Sequence, residues 1–167
     1  MKFGRVALLL VAATALQFFV GGSSHRAAWP IDCFLIATAV VARSGNPSRA
    51  LLVGGALGFL EDAFTQELLG MNAFAKAALG YVFAVLSVRV ALGGSWAVGG
   101  ALAVASLVND GIVALLSVLL MRSPLVLLSR EDLWRAAATG ITGGIVEAAR
   151  EFPWREWWKR RLLRRLR

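Results

Sequence analysis

Cysteine and histidine are almost missing from this sequence, and their scarcity removes several kinds of site. The chain has one cysteine, Cys33, and one histidine, His25. A single thiol cannot form an internal disulfide, and it cannot supply a cysteine-based zinc site. A zinc centre, a di-iron centre or a Ser-His-Asp triad would have to be built on His25 alone. That residue lies in an expected loop, so we interpret it as a solvated side chain, and we expect no metal or other cofactor.

Charged residues are also scarce. They make up 17% of the 167 residues, whereas 58% are hydrophobic. Soluble domains are about 25% charged and about 45–50% apolar, so the composition indicates one small polytopic membrane protein. The formal net charge is +8. The basic excess is concentrated at the carboxyl terminus rather than in a groove, which argues against a nucleic-acid partner.

Six apolar runs follow one another, at about 5–22, 30–43, 48–66, 71–92, 96–120 and 133–150. A helix that crosses the hydrocarbon core needs about 20 residues, with a range of about 17–25. The runs predict an all-α integral membrane protein, with a six-transmembrane-helix bundle in residues 1–150 and a tail in 151–167. The second run is short, which leaves a tilted span, a thinned bilayer and a re-entrant segment as alternatives. The first run resembles a signal peptide but lacks a clean cleavage site, so we interpret it as a helix that is kept.

Turn-forming residues separate the runs and predict where helices begin. Pro30 is expected at a first helical position, with Asp32 in the first turn, where the helix dipole favours a carboxylate. Asn46 is expected to cap a helix that begins at Pro47. No long-period repeat or soluble domain is recognisable between these turns.

The distribution of Lys and Arg predicts the orientation in the membrane. With six spans and the amino terminus inside, most of the 18 basic residues fall in cytoplasmic loops or in the tail, as the positive-inside rule requires. Four of the remaining five, Arg26, Arg122, Arg130 and Arg135, lie on the outer side, and Lys76 lies within a span. Both termini are therefore predicted to be cytoplasmic, in the bacterial inner membrane, and the segment 61–72 is predicted to lie at the outer face.

Charged residues within the runs lie on faces rich in small residues. Gly54, Gly58 and Asp62 recur every four residues, and Lys76 and Asp110 lie on similar faces of the next two runs. Small residues at this spacing let helix backbones approach in lipid, and intramembrane charges usually face the bundle interior. We predict a structural Lys76–Asp110 ion pair, with Asp62 as a competing partner for Lys76. A proton or substrate path through these three residues is the alternative.

The carboxyl-terminal segment has a different pattern. Trp154, Trp158, Leu162 and Leu166 recur every four residues with basic residues between them. This pattern predicts an amphipathic helix on an anionic cytoplasmic leaflet, although a strong positive-inside stop would look similar. The residues expected to contact the membrane surface are Trp154, Trp157, Trp158, Arg160, Arg161, Arg164 and Arg165.

The stretch "GFLEDAFTQELLGMNAFAKAALGYV", residues 58–82, resembles the central signature of the rod shape-determining MreD family. That signature has a glycine, an aspartate four residues later, a short polar turn, a second glycine and an apolar helix that ends in Gly-Tyr. The matching positions are Gly58, Asp62, Gly70, Gly80 and Tyr81. The additional acid Glu61 and the long Trp/Arg tail depart from the pattern.

The resemblance implies a non-enzymatic inner-membrane scaffold subunit of the bacterial cell-elongation complex. Such a subunit would associate with MreC, and through it with MreB filaments and the RodA–transpeptidase pair that builds sidewall peptidoglycan. The family's fold is similar to the six-helix substrate-binding subunits of vitamin uptake transporters.

Two other functions remain open at this stage. The first is a substrate-binding subunit of a small-molecule uptake transporter, although the small-xxx-small spacing that such subunits use for docking is missing from the first run. The second is a membrane enzyme that acts on lipid. No nucleophile–base pair or cluster of metal ligands supports that function.

Overall fold

The computed structural model describes residues 11–12, 14–17, 30–65, 68–89, 94–121 and 129–151. Within these ranges every regular element is an α-helix and no residue forms a β-strand, which confirms the all-α prediction. We number the helices in chain order as α1 (residues 11–12 and 14–17), α2 (Cys33–Ala42), α3 (Pro47–Thr65), α4 (Met71–Arg89), α5 (Ser95–Met121) and α6 (Arg130–Glu151). The helices α2 to α6 follow the predicted apolar runs closely.

Helix α2 begins later than the sequence suggested. Asp32 is its N-cap, and the Asp32 Oδ1 atom accepts a hydrogen bond of 2.8 Å from the backbone N–H of Leu35. Pro30, which was predicted to be a first helical residue, lies outside the helix. The prediction failed because the carboxylate two residues later supplies the stronger capping interaction.

Two other helices begin at side-chain caps. The Oδ1 atom of Asn46 accepts a hydrogen bond of 3.0 Å from the backbone N–H of Arg49, which confirms the predicted cap of α3. Before α6, the backbone N–H of Ser129 donates to Asp132, and the backbone N–H of Asp132 donates to the Ser129 hydroxyl. This reciprocal pair is a capping box with aspartate at the third position.

Two antiparallel hairpins, α3–α4 and α5–α6, form most of the bundle, and α2 packs against both. Glycines allow the close contacts within each hairpin. A Cβ atom added to Gly58 would collide with the backbone carbonyl of Asn72, and one added to Gly99 would lie 2.8 Å from the carbonyl oxygen of Gly140. The small-residue faces predicted from the sequence are therefore helix contacts.

Helix α2 is short and central. Its 10 residues correspond to about 15 Å, half of the hydrocarbon core of a bilayer. All of its residues except Val40 are buried. Leu35 and Ile36 belong to an apolar core with Leu79 of α4 and Leu102 of α5. The helix therefore lies in the middle of the bundle rather than at its edge.

Two of the described helices, α4 and α5, are long and apolar enough to cross a membrane, as judged by length and composition. Helices α3 and α6 are of similar length, with 19 and 22 residues, but they carry more charged residues. Several of these charged side chains, including Glu61, Asp62, Arg135 and Glu147, are buried against other helices.

Candidate functional site

A buried cluster of three charged side chains lies where α2, α3 and α4 meet. The Nζ atom of Lys76 lies 2.8 Å from Asp32 Oδ2 and 2.5 Å from Glu61 Oε2. Lys76 is completely buried, Glu61 is 1% exposed and Asp32 is 6% exposed. Charges this deeply buried are tolerated in proteins only when they are paired. The cluster therefore joins three helices through one ammonium group.

The sequence places these three side chains at the same depth. Lys76 follows the start of α4 by five residues, and Glu61 precedes the end of α3 by four, which puts both about 6–8 Å from the α3–α4 turn. Gly54 allows α3 to lie directly against the backbone of Lys76. Asp32 reaches the same level because α2 begins inside the bundle.

The neighbouring backbone is held by two neutral side chains. Gln17 of α1 accepts a hydrogen bond of 2.8 Å from the N–H of Cys33 and donates one of 3.1 Å to the carbonyl of Ile31. The N–H of Asp32 donates to the hydroxyl of Thr139 on α6 at 3.0 Å. Helices α1 and α6 thus fix the start of α2, which holds Asp32 in position beside Lys76.

Asp62, next to the cluster, has a different role. Its carboxylate accepts hydrogen bonds from the backbone N–H groups of Gly70, Asn72 and Ala73, at 2.8, 3.1 and 3.3 Å. It also accepts a 2.8 Å bond from the side-chain amide of Asn72. These N–H groups lie at the start of α4, where the helix dipole favours a negative charge. Asp62 therefore caps α4 from the neighbouring helix.

This role predicts the effect of shortening the side chain. Asp62→Ala removes the carboxylate that accepts from the backbone N–H groups of Gly70, Asn72 and Ala73, and we expect a loss of about 1–2 kcal/mol of stability, the upper range for a helix cap. Asp62→Asn keeps one acceptor oxygen and should lose less. Thermal unfolding of the purified variants in detergent measures both. An Asp62→Ala protein as stable as the parent would contradict the capping role.

Asp110 pairs with a residue that the sequence did not suggest. The Nη2 atom of Arg135, on α6, lies 2.8 Å from Asp110 Oδ2 and 2.8 Å from Asp132 Oδ1. The predicted Lys76–Asp110 pair is therefore wrong, because each of the two residues has other partners. Arg135, predicted to lie on the outer side, is a buried residue of α6.

Helix α6 carries a buried polar stripe that sequence reasoning missed. Arg135, Thr139, Gly143 and Glu147 are spaced by four residues, and all are buried. Glu147 forms an ion pair with Arg43 at 2.9 Å, at the end of the bundle opposite Arg135. The signal was present in the sequence, since polar and small residues that recur every four positions mark a packing face.

The remaining residues of the signature divide into two groups. Gly70 has a φ of 107°, a backbone conformation that favours glycine, and it forms the turn into α4. A Cβ atom added to Gly80 would lie 2.5 Å from the carbonyl oxygen of Ala50 on α3. Tyr81, in contrast, is 48% exposed on the outside of α4. The predicted tail residues, from Trp154 to Arg165, lie outside the described residues.

An apolar groove of about 610 Å³ lies between α5 and α6, on the side of this hairpin that faces away from the other helices. It is lined mainly by glycine and alanine, among them Gly99, Gly100, Gly140 and Gly144. No charged side chain lines this groove, and its polar side chains are Ser95 and Trp96. Within the described part of the chain, no group of three or more His, Cys, Asp or Glu side chains could hold a metal ion.

Comparison with known proteins identifies no relative of this chain. No protein-family model, no curated protein and no solved structure matches the chain.

Proposed function

We propose that this chain is a non-enzymatic scaffold subunit of the bacterial cell-elongation complex. It is a six-span protein of the inner membrane with both termini in the cytoplasm. It binds MreC, and through MreC it supports the MreB filaments and the RodA–transpeptidase pair in sidewall peptidoglycan synthesis. The basic tail binds anionic lipids on the cytoplasmic leaflet.

The membrane part of this proposal is supported by the burial of charged side chains and the exposure of large apolar ones, which is the reverse of the distribution in a soluble protein. Lys76, Glu61 and Asp62 are at most 1% exposed, whereas large apolar side chains such as Leu52 and Leu119 are about 70% exposed. A soluble protein almost never buries Lys, Glu and Asp so completely while exposing so many large apolar residues. In lipid the same distribution is expected, because charges face the bundle interior and apolar residues face the acyl chains.

The assignment to the elongation complex is supported by the roles of the signature residues. Gly58, Asp62, Gly70 and Gly80 all contribute to one hairpin, by close backbone contact, by capping or by a glycine turn. Residues that shape a hairpin are expected in a structural subunit, whereas a signature for an enzyme or a transporter would be expected to include groups that face a substrate. This observation carries the proposal.

The proposed topology predicts opposite labelling of two loops. In a Cys33→Ser background, a cysteine at Leu69 should react with a membrane-impermeant maleimide added to intact spheroplasts. A cysteine at Ser44 should react only after the membrane is opened. Both positions are exposed. Labelling of Ser44→Cys in intact spheroplasts would contradict the orientation.

The function is tested by purification of the tagged chain from native membranes and quantification of the proteins that accompany it. We expect enrichment of MreC over an untagged strain, and we expect depletion of the chain to convert rods to round cells. Enrichment of an ATPase module would instead support the uptake transporter. Isolation of neither, with normal cell shape after depletion, would contradict the proposal.

A further inference from the structure

Asn109 of α5 is a fully buried amide whose hydrogen bonds are incomplete. Its side chain is 0% exposed, and its Oδ1 atom has no hydrogen-bond donor among the residues that the structure describes. Its Nδ2 atom lies 3.5 Å from Asp110 Oδ1, longer than the ~2.7–3.2 Å of a typical N–H···O bond. A buried amide oxygen without a donor is destabilising, and such atoms are rare in folded proteins.

Water outside the bundle cannot supply the missing donor. Asn109 lies fourteen residues after the start of α5 and twelve before its end, or about 21 Å and about 18 Å along the helix axis. An asparagine side chain is too short to reach either end of the helix. A donor to this oxygen therefore has to be held inside the bundle.

The surroundings of Asn109 form a polar gap between two apolar contacts of α4 with α5. On one side of the gap, Ala105 packs in a cluster with Leu79 of α4. On the other side, Val113 packs with Ala75 of α4. Ala105, Asn109 and Val113 recur every four residues and therefore lie on one face of α5. The small side chains of Ala75 and Ala105 leave space beside the amide.

The chemistry of the gap selects a small neutral donor. Ser106, which is 1% exposed, lies three residues before Asn109, a spacing that makes two side chains neighbours on a helix. An amide oxygen, an amide N–H group and a hydroxyl are enough for a buried water, which needs about two to four polar partners. The ammonium group of Lys76, whose position in α4 lies between Ala75 and Leu79, disfavours a metal ion.

We propose that Asn109 and Ser106 form a binding site for a single internal water molecule between α4 and α5. The water donates one hydrogen bond to Asn109 Oδ1 and makes another with the Ser106 hydroxyl. A larger ligand is excluded, because Asn109 has no exposed surface through which it could be reached. The site joins the two helices of the described chain that are apolar enough to cross a membrane.

X-ray radiolysis of the purified chain, read by mass spectrometry, tests this site. Hydroxyl radicals formed from a bound water oxidise the side chains beside it, even where bulk solvent cannot reach. Val113, one turn after Asn109, reports on the site. Ile36 is the matched control, because it packs near Gly143 of α6 and is 7% exposed, against 8% for Val113.

We expect oxidation of Val113 but not of Ile36 in the parent chain, a comparison that needs no variant to fold. Asn109→Leu removes the amide and fills the gap with apolar atoms, so oxidation of Val113 should fall to the level of Ile36. Ser106→Ala removes one of the polar partners and should lower oxidation of Val113 in part. Equal oxidation of Val113 and Ile36 in the parent, or oxidation of Val113 that Asn109→Leu does not change, would each overturn the inference.

Discussion

Replacement of Lys76 with methionine is expected to cause a large loss of folded protein. The substitution keeps the length of the side chain but removes the ammonium group that lies between Asp32 and Glu61. Two buried carboxylates then face each other without that cation. Removal of one partner from a buried ion pair costs about 3–5 kcal/mol in proteins generally. The yield of monodisperse protein in detergent, together with its melting temperature, measures the loss.

A second substitution should restore part of this loss. The three side chains of the cluster carry a formal charge of −1, and Lys76→Met combined with Glu61→Gln also leaves −1. Asp32 keeps its hydrogen bond from Leu35 and its position at the start of α2, where a carboxylate is favourable. We therefore expect the double variant to be more stable than Lys76→Met alone.

A matched control distinguishes the observed partners of Lys76, Asp32 and Glu61, from the Lys76–Asp110 pair that was predicted from the sequence. Asp110→Asn weakens the ion pair with Arg135, on a different set of helices. If Lys76 and Asp110 act independently, the losses from Lys76→Met and Asp110→Asn should add within experimental error. A recovery of stability in the Lys76→Met/Asp110→Asn variant would instead restore the predicted pair.

The addition of a single methyl group at Gly58 should be the second most damaging change. Its Cβ atom would collide with the carbonyl of Asn72 and with the backbone of Ala73. Backbone atoms cannot rotate away as a side chain can, so Gly58→Ala should force α3 and α4 apart. Overpacking costs about 1–3 kcal/mol, and we expect the upper end of that range because the Asp62 cap is only one turn away.

Gly100 provides the control for Gly58. It is also within a helix, but no atom lies within 4 Å of a Cβ atom added there. Gly100→Ala should be neutral or slightly stabilising, since alanine has the higher helix propensity. Melting temperatures of both variants in the same detergent make the comparison. Equal effects at the two positions would show that the close contact at Gly58 contributes little.

Much of the fold could be predicted because it depends on local chemistry. The helix bounds follow the apolar runs, and Asn46 could be assigned as a cap because it precedes Pro47 directly. The contact faces of Gly54, Gly58 and Gly80 could be recognised from their spacing and the small residues around them. These features depend on residues within one or two turns, which a sequence displays directly.

The partner of Lys76 could not be predicted, because it depends on where a short helix begins in space. A full crossing by residues 30–43 would place Asp32 at the outer surface, away from Lys76. The actual helix α2 has only 10 residues, and its first turn lies at the depth of Lys76. The prediction of the Lys76–Asp110 pair considered the two long runs that carry these residues and missed the short helix that packs against both hairpins.

The central claim of the proposed scaffold function concerns the buried charges, and a single measurement tests it directly. In that function, the buried charges hold the bundle together and do not move protons or substrate. The Lys76→Met/Glu61→Gln variant should therefore support rod shape in proportion to the amount of folded protein in the membrane. Cell width in the depletion strain, measured against the amount of folded variant, gives the answer. Rods at the matched protein level are the predicted result, and a variant that is fully folded at that level but leaves the cells round would contradict it.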